Sequence, residues 1–242
     1  MPDHVFERKE QKYLLDEARS RELEALLNQH LAPDRYFRSD IRSLYYDTPD
    51  YRLIRRSLEG PVYKEKLRLR CYGDPIPGGE VFLELKKKYQ GIVYKRRVSL
   101  PLEKAEAYMA DPDARLEAGQ IGREIDYFKD FYGDLRPAMF LGCHRLAWHG
   151  DGGLRVTLDR DIRCRTREPD LNGGGWALLE PGQSLLEIKS AGAMPLWLAR
   201  FLSLRQIRQQ SFSKYGSAYL RLLQNQEIGG FDHAPVHFYQ PF

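Results

Sequence analysis

Polar and apolar positions alternate along much of this chain, and that period of two is the signature of half-buried β-strand. Over residues 62–72, VYKEKLRLRCY, it puts Lys64, Lys66, Arg68 and Arg70 on one face and Tyr63, Glu65, Leu67, Leu69 and Cys71 on the other. The same pattern predicts strands over 6–14, 41–47, 81–88, 92–100, 138–148, 154–167 and 185–190. The first of these places Phe6, Arg8, Glu10 and Lys12 together. In 81–88 the polar face carries Phe82, Glu84, Lys86 and Lys88, and in 92–100 it carries Val93, Lys95, Arg97 and Ser99. Over 154–167, Arg155, Thr157, Asp159, Asp161, Arg163 and Arg165 face one way, and Leu154, Val156, Leu158, Ile162 and Cys164 the other. Helical spacing appears over 17–31, where Asp16 is the N-cap and Leu23, Leu26, Leu27 and Leu31 form the apolar stripe. Shorter helices are predicted over 50–58, 102–109, 121–131, 195–208 and 213–223. Gly60-Pro61, the GDPIPGG loop, Gln90-Gly91, Asp111-Pro112 and HGDGG punctuate the chain.

Several strands joined by turns, with a few helices, predict an α+β fold: a closed antiparallel β-barrel with covering helices. Closure gathers one face of each strand into a common interior. If the apolar faces pointed inward, the barrel would have an ordinary core and its cations would be solvated. If the charged faces pointed inward, the helices would cover the apolar outside and the interior would be a wet basic tunnel. The apolar stripes of the helices need a sheet surface to cover. Carboxylates also share the cationic faces, at Glu10/Lys12, Glu84/Lys86 and Glu187/Lys189. Both observations favour the tunnel. Stranded buried cations cost several kcal/mol each, so the tunnel calls for an anionic guest, and a polyphosphate chain suits Arg forks and Lys point charges. Glutamates among those cations make sense as ligands for Mg²⁺ or Mn²⁺ bridging phosphate oxygens, or as bases for a water.

Composition narrows this further. Lys and Arg total 38 against 34 Asp and Glu, a formal +4, too mild for a nucleic-acid coat, so any positive field must come from local clustering. Cys71, Cys143 and Cys164 form no CxxC pair and are odd in number, which fits a reducing compartment. The N-terminal stretch has no apolar signal core, and no run of 18 apolar residues occurs; the expectation is a cytoplasmic protein without a membrane span. With no linker or fixed-period repeat, residues 1–228 are expected to form one domain, followed by a tail, 229–242, without a readable period.

Taken in order, RxExKY at 8–13, SLYYDT at 43–48, LRLRCYG at 67–73, FLELKKK at 82–88, Lys95 and Arg97, Arg145, LRVTLD at 154–159, LLEIKS at 185–190 and FSKYG at 212–216 make up a set. The set resembles the vacuolar transporter chaperone (VTC) domain of the triphosphate tunnel metalloenzyme, or CYTH-like, superfamily, over residues 6–224. The resemblance implies a polyphosphate polymerase that transfers the γ-phosphate of ATP to a growing inorganic polyphosphate chain and releases ADP, with Mn²⁺ or Mg²⁺ as cofactor. It implies that Lys12, Arg68, Arg70, Lys86, Lys95, Arg145, Arg155 and Lys214 bind phosphate, with Arg8, Arg97, Lys189 and Ser213 beside them and Arg165 at a further basic position. Glu187 matches the metal-binding glutamate. Glu10 and Glu84 are open to two readings, metal helpers or salt-bridge partners of the cations. Lys12, Arg68, Arg70, Lys86 and Glu187 are the catalytic set. The partners implied are ATP or triphosphate and inorganic polyphosphate, without nucleic acid; association with a membrane partner stays open. The same tunnel would be a metal-dependent inorganic triphosphatase or nucleoside triphosphatase if water replaced the acceptor, and a polyphosphate-binding module if it did no chemistry. Lys64 and Lys66 are read as a solvated face, His144 and His149 as structural or exposed, and Tyr45, Tyr46 and Trp148 as core or edge aromatics, with stacking of one of them on an adenine left open.

Overall fold

The computed structural model describes residues 9–90 and 92–227, so Arg8 and the 229–242 tail lie outside the described residues. In chain order the elements are β1 (Lys9–Leu15), α1 (Glu17–His30), β2 (Ala32–Asp47), α2 (Arg52–Leu58), β3 (Tyr63–Tyr72), β4 (Glu80–Tyr89), β5 (Ile92–Pro101), α3 (Leu102–Ala110) and α4 (Gly119–Tyr132). They continue with β6 (Arg136–His149), β7 (Arg155–Arg165), β8 (Trp176–Ala177), β9 (Ser184–Ser190), α5 (Leu196–Leu204) and α6 (Lys214–Glu227). The strands form one antiparallel sheet in the order β1-β9-β7-β6-β2-β3-β4-β5, with β8 attached to β7.

Among the described residues β1 and β5 do not pair, so the sheet curls without the barrel closure expected from the sequence. The free edge of β1 has a different partner. Residues 209–213 run beside it: Tyr13 bridges to Gln209, the Gln210 N–H donates to the Lys12 carbonyl at 2.8 Å, and the Gln11 amide donates to the Gln209 side-chain oxygen at 3.0 Å. A short irregular segment therefore satisfies β1's outer groups.

Sidedness follows from two apolar layers on the convex face. Leu67, Leu69 and Cys71 of β3 and Val81, Leu83 and Leu85 of β4 are buried beneath Ala105, Tyr108 and Met109 of α3 and Ile125 and Phe128 of α4. Tyr13 and Leu15 of β1, Val156 and Leu158 of β7 and Leu186 and Ile188 of β9 lie beneath Leu23 and Leu27 of α1 and Leu198 and Leu202 of α5. Each fully buried Leu or Ile contributes about 1.5–3 kcal/mol, and a one-residue slip would turn that whole set into water. The alternate, cationic residues thereby point into the concavity. The concave face is not basic throughout. Phe212 and, from α6, Tyr215, Ala218 and Tyr219 pack inside the curl against Tyr45, Met139, Leu141 and Cys143, so α6 plugs part of the interior instead of covering the outside.

Two local departures from regular pairing change which residues face inward. β2 is longer than the alternation shows, because Arg38–Asp47 and Ala32–Pro33 pair with β6 on either side of a register shift. In β7, Asp161 and Ile162 together oppose Cys143: Gly142 pairs with Arg163 while His144 pairs with Arg160. Asp161 takes φ 46, and this β-bulge inverts the alternation beyond it. Arg155, Thr157 and Asp159 keep the inward parity, but Ile162 and Cys164 replace Arg163 and Arg165 on that face.

The start of α2 depends on Asp47. Its carboxylate accepts from the N–H groups of Thr48 (2.9 Å), Leu53 (2.8 Å) and Ile54 (3.1 Å) and from the Tyr215 hydroxyl (2.8 Å). It thus caps α2, whose own N-cap residue Tyr51 offers no side-chain bond, and ties α6 to β2. Asp47→Ala is predicted to lower unfolding free energy by about 2–4 kcal/mol, because several buried donors lose their acceptor at once. Urea unfolding measures this, and an unchanged midpoint would show that the cap carries no stability.

Candidate functional site: a cationic cavity

The curl encloses a cavity of about 2000 Å³. On one wall stand Lys66, Arg68 and Arg70 of β3, Lys86 of β4, and Lys95 and Arg97 of β5. On the other stand Lys12 of β1, Lys189 of β9, Arg155 of β7 and Arg145 of β6, and residues 209–213 lie along its side. Cross-strand register makes these clusters: Arg68 lies opposite Glu84 and Tyr45, Arg70 opposite Ser43, Lys86 opposite Lys66 and Lys95, and Lys12 opposite Glu187.

Buried carboxylates hold part of this charge in place. Glu84 is 1% exposed, and Arg68 donates to its Oε2 from Nε at 2.8 Å and Nη2 at 2.6 Å. Its Oε1 lies 2.6 Å from Lys95 Nζ and 3.3 Å from Arg97 Nε. Burial alone would raise its pKa, but Arg68, Arg70 and Lys95 outweigh that and hold it at about 2. Asp159 is fully buried; Arg145 clasps it with two bonds of 2.6 and 2.7 Å, and Lys214 Nζ donates to it as well. Despite its burial, these two cations keep the Asp159 carboxyl far below the ordinary carboxylate range.

Glu10 and Glu187 form a third acidic group. They sit diagonally across the β1–β9 pair, since Glu10 opposes Lys189 and Lys12 opposes Glu187. Lys189 Nζ is 2.6 Å from Glu187 and 3.8 Å from Glu10, and Lys12 Nζ is 3.0 Å from Glu10. Burial works against ionisation of Glu187, but Lys189, Lys12 and Lys214 bring its pKa to about 2. Glu10 is lowered too: burial and Glu187 raise it, while Lys12, Lys86 and Lys189 pull it down further. A hard cation takes one or two protein carboxylates and completes its shell with substrate oxygens, and Glu10 with Glu187 fits that donor set. Among the described residues no group of three or more acid, His or Cys side chains gathers at one point, so remaining ligands would come from the bound anion. Glu84 is engaged more heavily, 1% exposed with Arg68 on one oxygen and Lys95 and Arg97 on the other.

Other cations have no carboxylate partner among the described residues. Arg70 donates from Nε to the Ser43 hydroxyl at 3.1 Å, Lys66 donates to the Ser213 hydroxyl at 3.1 Å, and Lys86 makes no ion pair. Burial, with Lys86, Lys64 and Lys12 close by, lowers Lys66 to about 8 even though Tyr45 opposes the shift. Lys12 Nζ also donates to the Phe212 carbonyl at 2.9 Å, and Arg155 pairs with Asp34 at 2.8 Å. Arg97 stacks 3.5 Å from the Phe82 ring centroid.

The candidates thus separate. Glu10, Lys12, Arg68, Arg70, Lys86, Lys95, Arg97, Arg145, Arg155, Lys189 and Ser213 line the cavity, while Glu84 and Glu187 stand just behind its surface as ion-pair partners and Lys214 stands there on Asp159, which it shares with Arg145. Arg165 does not join them. The bulge turns it outward opposite Phe140, where it pairs with Asp170. Lys66 and Lys64, read as a solvated face, line the cavity. The signal was present, since both share the period-two face of Arg68 and Arg70. Asp159 shares the charged face of Arg155 but nothing in the sequence marks it as the partner of Arg145 and Lys214, and Tyr45 carried no signal, because an aromatic in a core looks ordinary until its neighbours are known.

Comparison with known proteins agrees with this architecture. The family model for the VTC domain matches residues 7–223. Subunit 4 of the vacuolar transporter chaperone complex of Trypanosoma cruzi is 28% identical over 156 residues, an alignment covering 52% of this chain and 19% of that protein. The match therefore spans about a fifth of the relative's length. Among solved structures, one from Bacillus halodurans described as a candidate adenylate cyclase superposes with a TM-score of 0.54 at 15% identity, covering 85% of this chain and 95% of that one. A candidate adenylyl cyclase from Hippeastrum, reported to show a dominant triphosphatase activity, gives 0.52 at 18% identity, covering 88% and 94%. At these identities the likeness is one of fold.

Glu84 also makes stability depend on pH. Its pKa falls from 4.5 to about 2 on folding, so its contribution is complete above about pH 4.5 and disappears as pH drops towards 2. Glu84→Gln is predicted to cost about 3 kcal/mol at pH 7, by leaving Arg68, Lys95 and Arg97 without their acid, and to flatten the fall in stability across that acid window. Denaturant titrations at a series of pH values test both effects; a variant with the wild-type slope would exclude Glu84 as the linked group.

Proposed function

The chain belongs to the VTC domain family, and on that premise we propose that it is a metal-dependent polyphosphate polymerase, moving the γ-phosphate of ATP onto a growing inorganic polyphosphate chain. The observation that carries this reading is the excess of cations in the cavity: Arg70, Lys86 and Lys66 lack a carboxylate partner among the described residues, yet converge on one space. Several like charges brought together with too few acids to pair them call for a guest with several negative charges along its length.

In this reading Arg68 and Arg70 grip the triphosphate with planar forks, and Lys12, Lys86, Lys95 and Lys189 add point charges. Arg97, Arg145, Arg155 and Ser213 extend the phosphate path, and Lys214 backs it through Asp159. Glu84 and Asp159 hold the guanidinium groups in register, so that little reorganisation is needed when charge builds on the transferred phosphoryl group. A terminal oxygen of the acceptor polyphosphate forms the new bond to the γ-phosphorus, and the bond to the β–γ bridging oxygen breaks, its electrons leaving with ADP. The acceptor oxygen is already anionic and needs no side chain to deprotonate it. Glu10 and Glu187 would hold a Mg²⁺ or Mn²⁺ ion, which supplies further neutralisation of phosphate oxygens when bound. We take residues 1–228 as one functional unit working in the cytoplasm, in keeping with three cysteines that are free and buried. No helix among the described residues is long and apolar enough to cross a membrane.

Incubating the pure protein with ATP and Mn²⁺ is predicted to yield ADP and long polyphosphate. Orthophosphate without polymer would reassign the cavity to triphosphate hydrolysis, and unconsumed ATP would reduce it to a binding module. Arg70→Ala and Lys86→Ala are each predicted to weaken tripolyphosphate binding roughly tenfold or more, the ~1.5–3 kcal/mol of a hydrogen bond to a charged group. Arg165→Ala is predicted to leave it unchanged. Wild-type affinity in Arg70→Ala would refute the phosphate role, and undiminished metal-dependent turnover in Glu187→Gln would remove that residue from the metal site.

A further inference from the structure

Tyr45 is buried behind the cavity-lining Arg68, directly opposite it in the β2–β3 pair. Its hydroxyl oxygen accepts from Arg68 Nη1 at 3.0 Å, and its ring stacks on Tyr215 of α6, with centroids 4.6 Å apart. A guanidinium only donates, so this contact holds the phenol oxygen in the accepting role. Among the described residues no group accepts the phenol's own proton. The charged neighbours come mainly from β3, namely Lys66, Arg68 and Arg70. β4 adds Glu84, which faces Tyr45 only through Arg68. On the other side, Asp47 is engaged by the Tyr215 hydroxyl, while β6 and α2 present Met139 and Ile54.

We propose that Tyr45 is a positioning residue of the phosphate site that, as phenolate, competes with incoming phosphate for Arg68, so that anion binding returns a proton to its oxygen. This rests on the phosphate-binding reading of the cavity. Burial by itself disfavours the phenolate, but Arg68, Arg70 and Lys66 overcome it and bring the phenol from 10.0 to about 7. Phosphate arriving beside the same three cations cancels their field and adds negative charge, and both effects raise the phenol's proton affinity. The step balances: one proton passes from solvent to the Tyr45 oxygen, and Arg68 exchanges a phenolate for a phosphate oxygen. Proton uptake on binding above neutral pH follows, and so does an affinity for phosphate that declines with rising pH.

Ultraviolet titration tests this, because tyrosinate absorbs apart from phenol. Of the 15 tyrosines, one is expected to ionise near pH 7 in the free protein, and that step is expected to vanish in Tyr45→Phe. In the wild-type protein, saturating tripolyphosphate should move the step up by about one unit or more. The ratio of variant to wild-type affinity for tripolyphosphate should grow severalfold between about pH 7 and 9. Lys66 also loses its proton in that range, but it has no tyrosinate signal. A neutral-range step that persists in Tyr45→Phe, or one that ignores tripolyphosphate shown by calorimetry to bind, would overturn the proposal. If calorimetry showed no tripolyphosphate binding, the phosphate reading would fail, and with it the competition proposed for Tyr45.

Discussion

The structure depends on gathering many guanidinium and ammonium groups into one concavity without letting their repulsion unfold it. Three buried acids and the more exposed Glu10 make this possible. Glu84 holds Arg68, Lys95 and Arg97, Asp159 holds Arg145 and Lys214, and Glu187 with Glu10 holds Lys189 and Lys12. Apart from Lys214, which comes from α6, each cation shares the sheet face of the acid that holds it, so strand register delivers most of the pairing. A buried acid in such a place would normally be protonated, and only the adjacent positive charge keeps it ionised. Acid and cation are mutually dependent, and neither can be replaced alone without stranding the other.

Compensation stops short of completion, and function enters through the shortfall. Arg70 and Lys66 find hydroxyls in place of an acid, and Lys86 feels Glu10 together with several other cations but makes no ion pair among the described residues. Charge left over in this way raises the free energy of the protein alone and lowers it when an anion enters. A binding site for a polyanion is therefore a region that is stable enough to fold and electrostatically incomplete. Tyr45 reduces that strain from within, by placing a weakly acidic oxygen on Arg68.

Apolar packing sets the direction in which all of this points. The leucines of β3 and β4 sit under α3 and α4, and those of β7 and β9 under α1 and α5. With the convex face committed to helices, the polar face has nowhere to go except inward. The interior then divides: α6 fills one part with Tyr215, Ala218 and Tyr219, and the other stays open and basic. Lys66, between Ser213 and the Tyr215 ring, marks the boundary between the two.

Alternation alone located most of the strands, their cationic faces and the shared position of acids and bases on them, because period two is a local property of extended chain. Motif order was likewise legible, and it led to the family that the match over residues 7–223 bears out. Other features waited on contacts between residues far apart in sequence. Arg165 lies on the charged stripe of its strand when read along the chain, yet a single extra residue at Asp161 turns it away. Residues 209–213 take the free edge of β1, which no pattern within either segment announces. Tyr45 looks like any core aromatic until Arg68, Arg70 and Lys66 are seen around it. Local sequence decides which way a side chain points relative to its own strand; a bulge, an edge partner or an electrostatic neighbourhood depends on which other strand lies alongside, and only folding settles that.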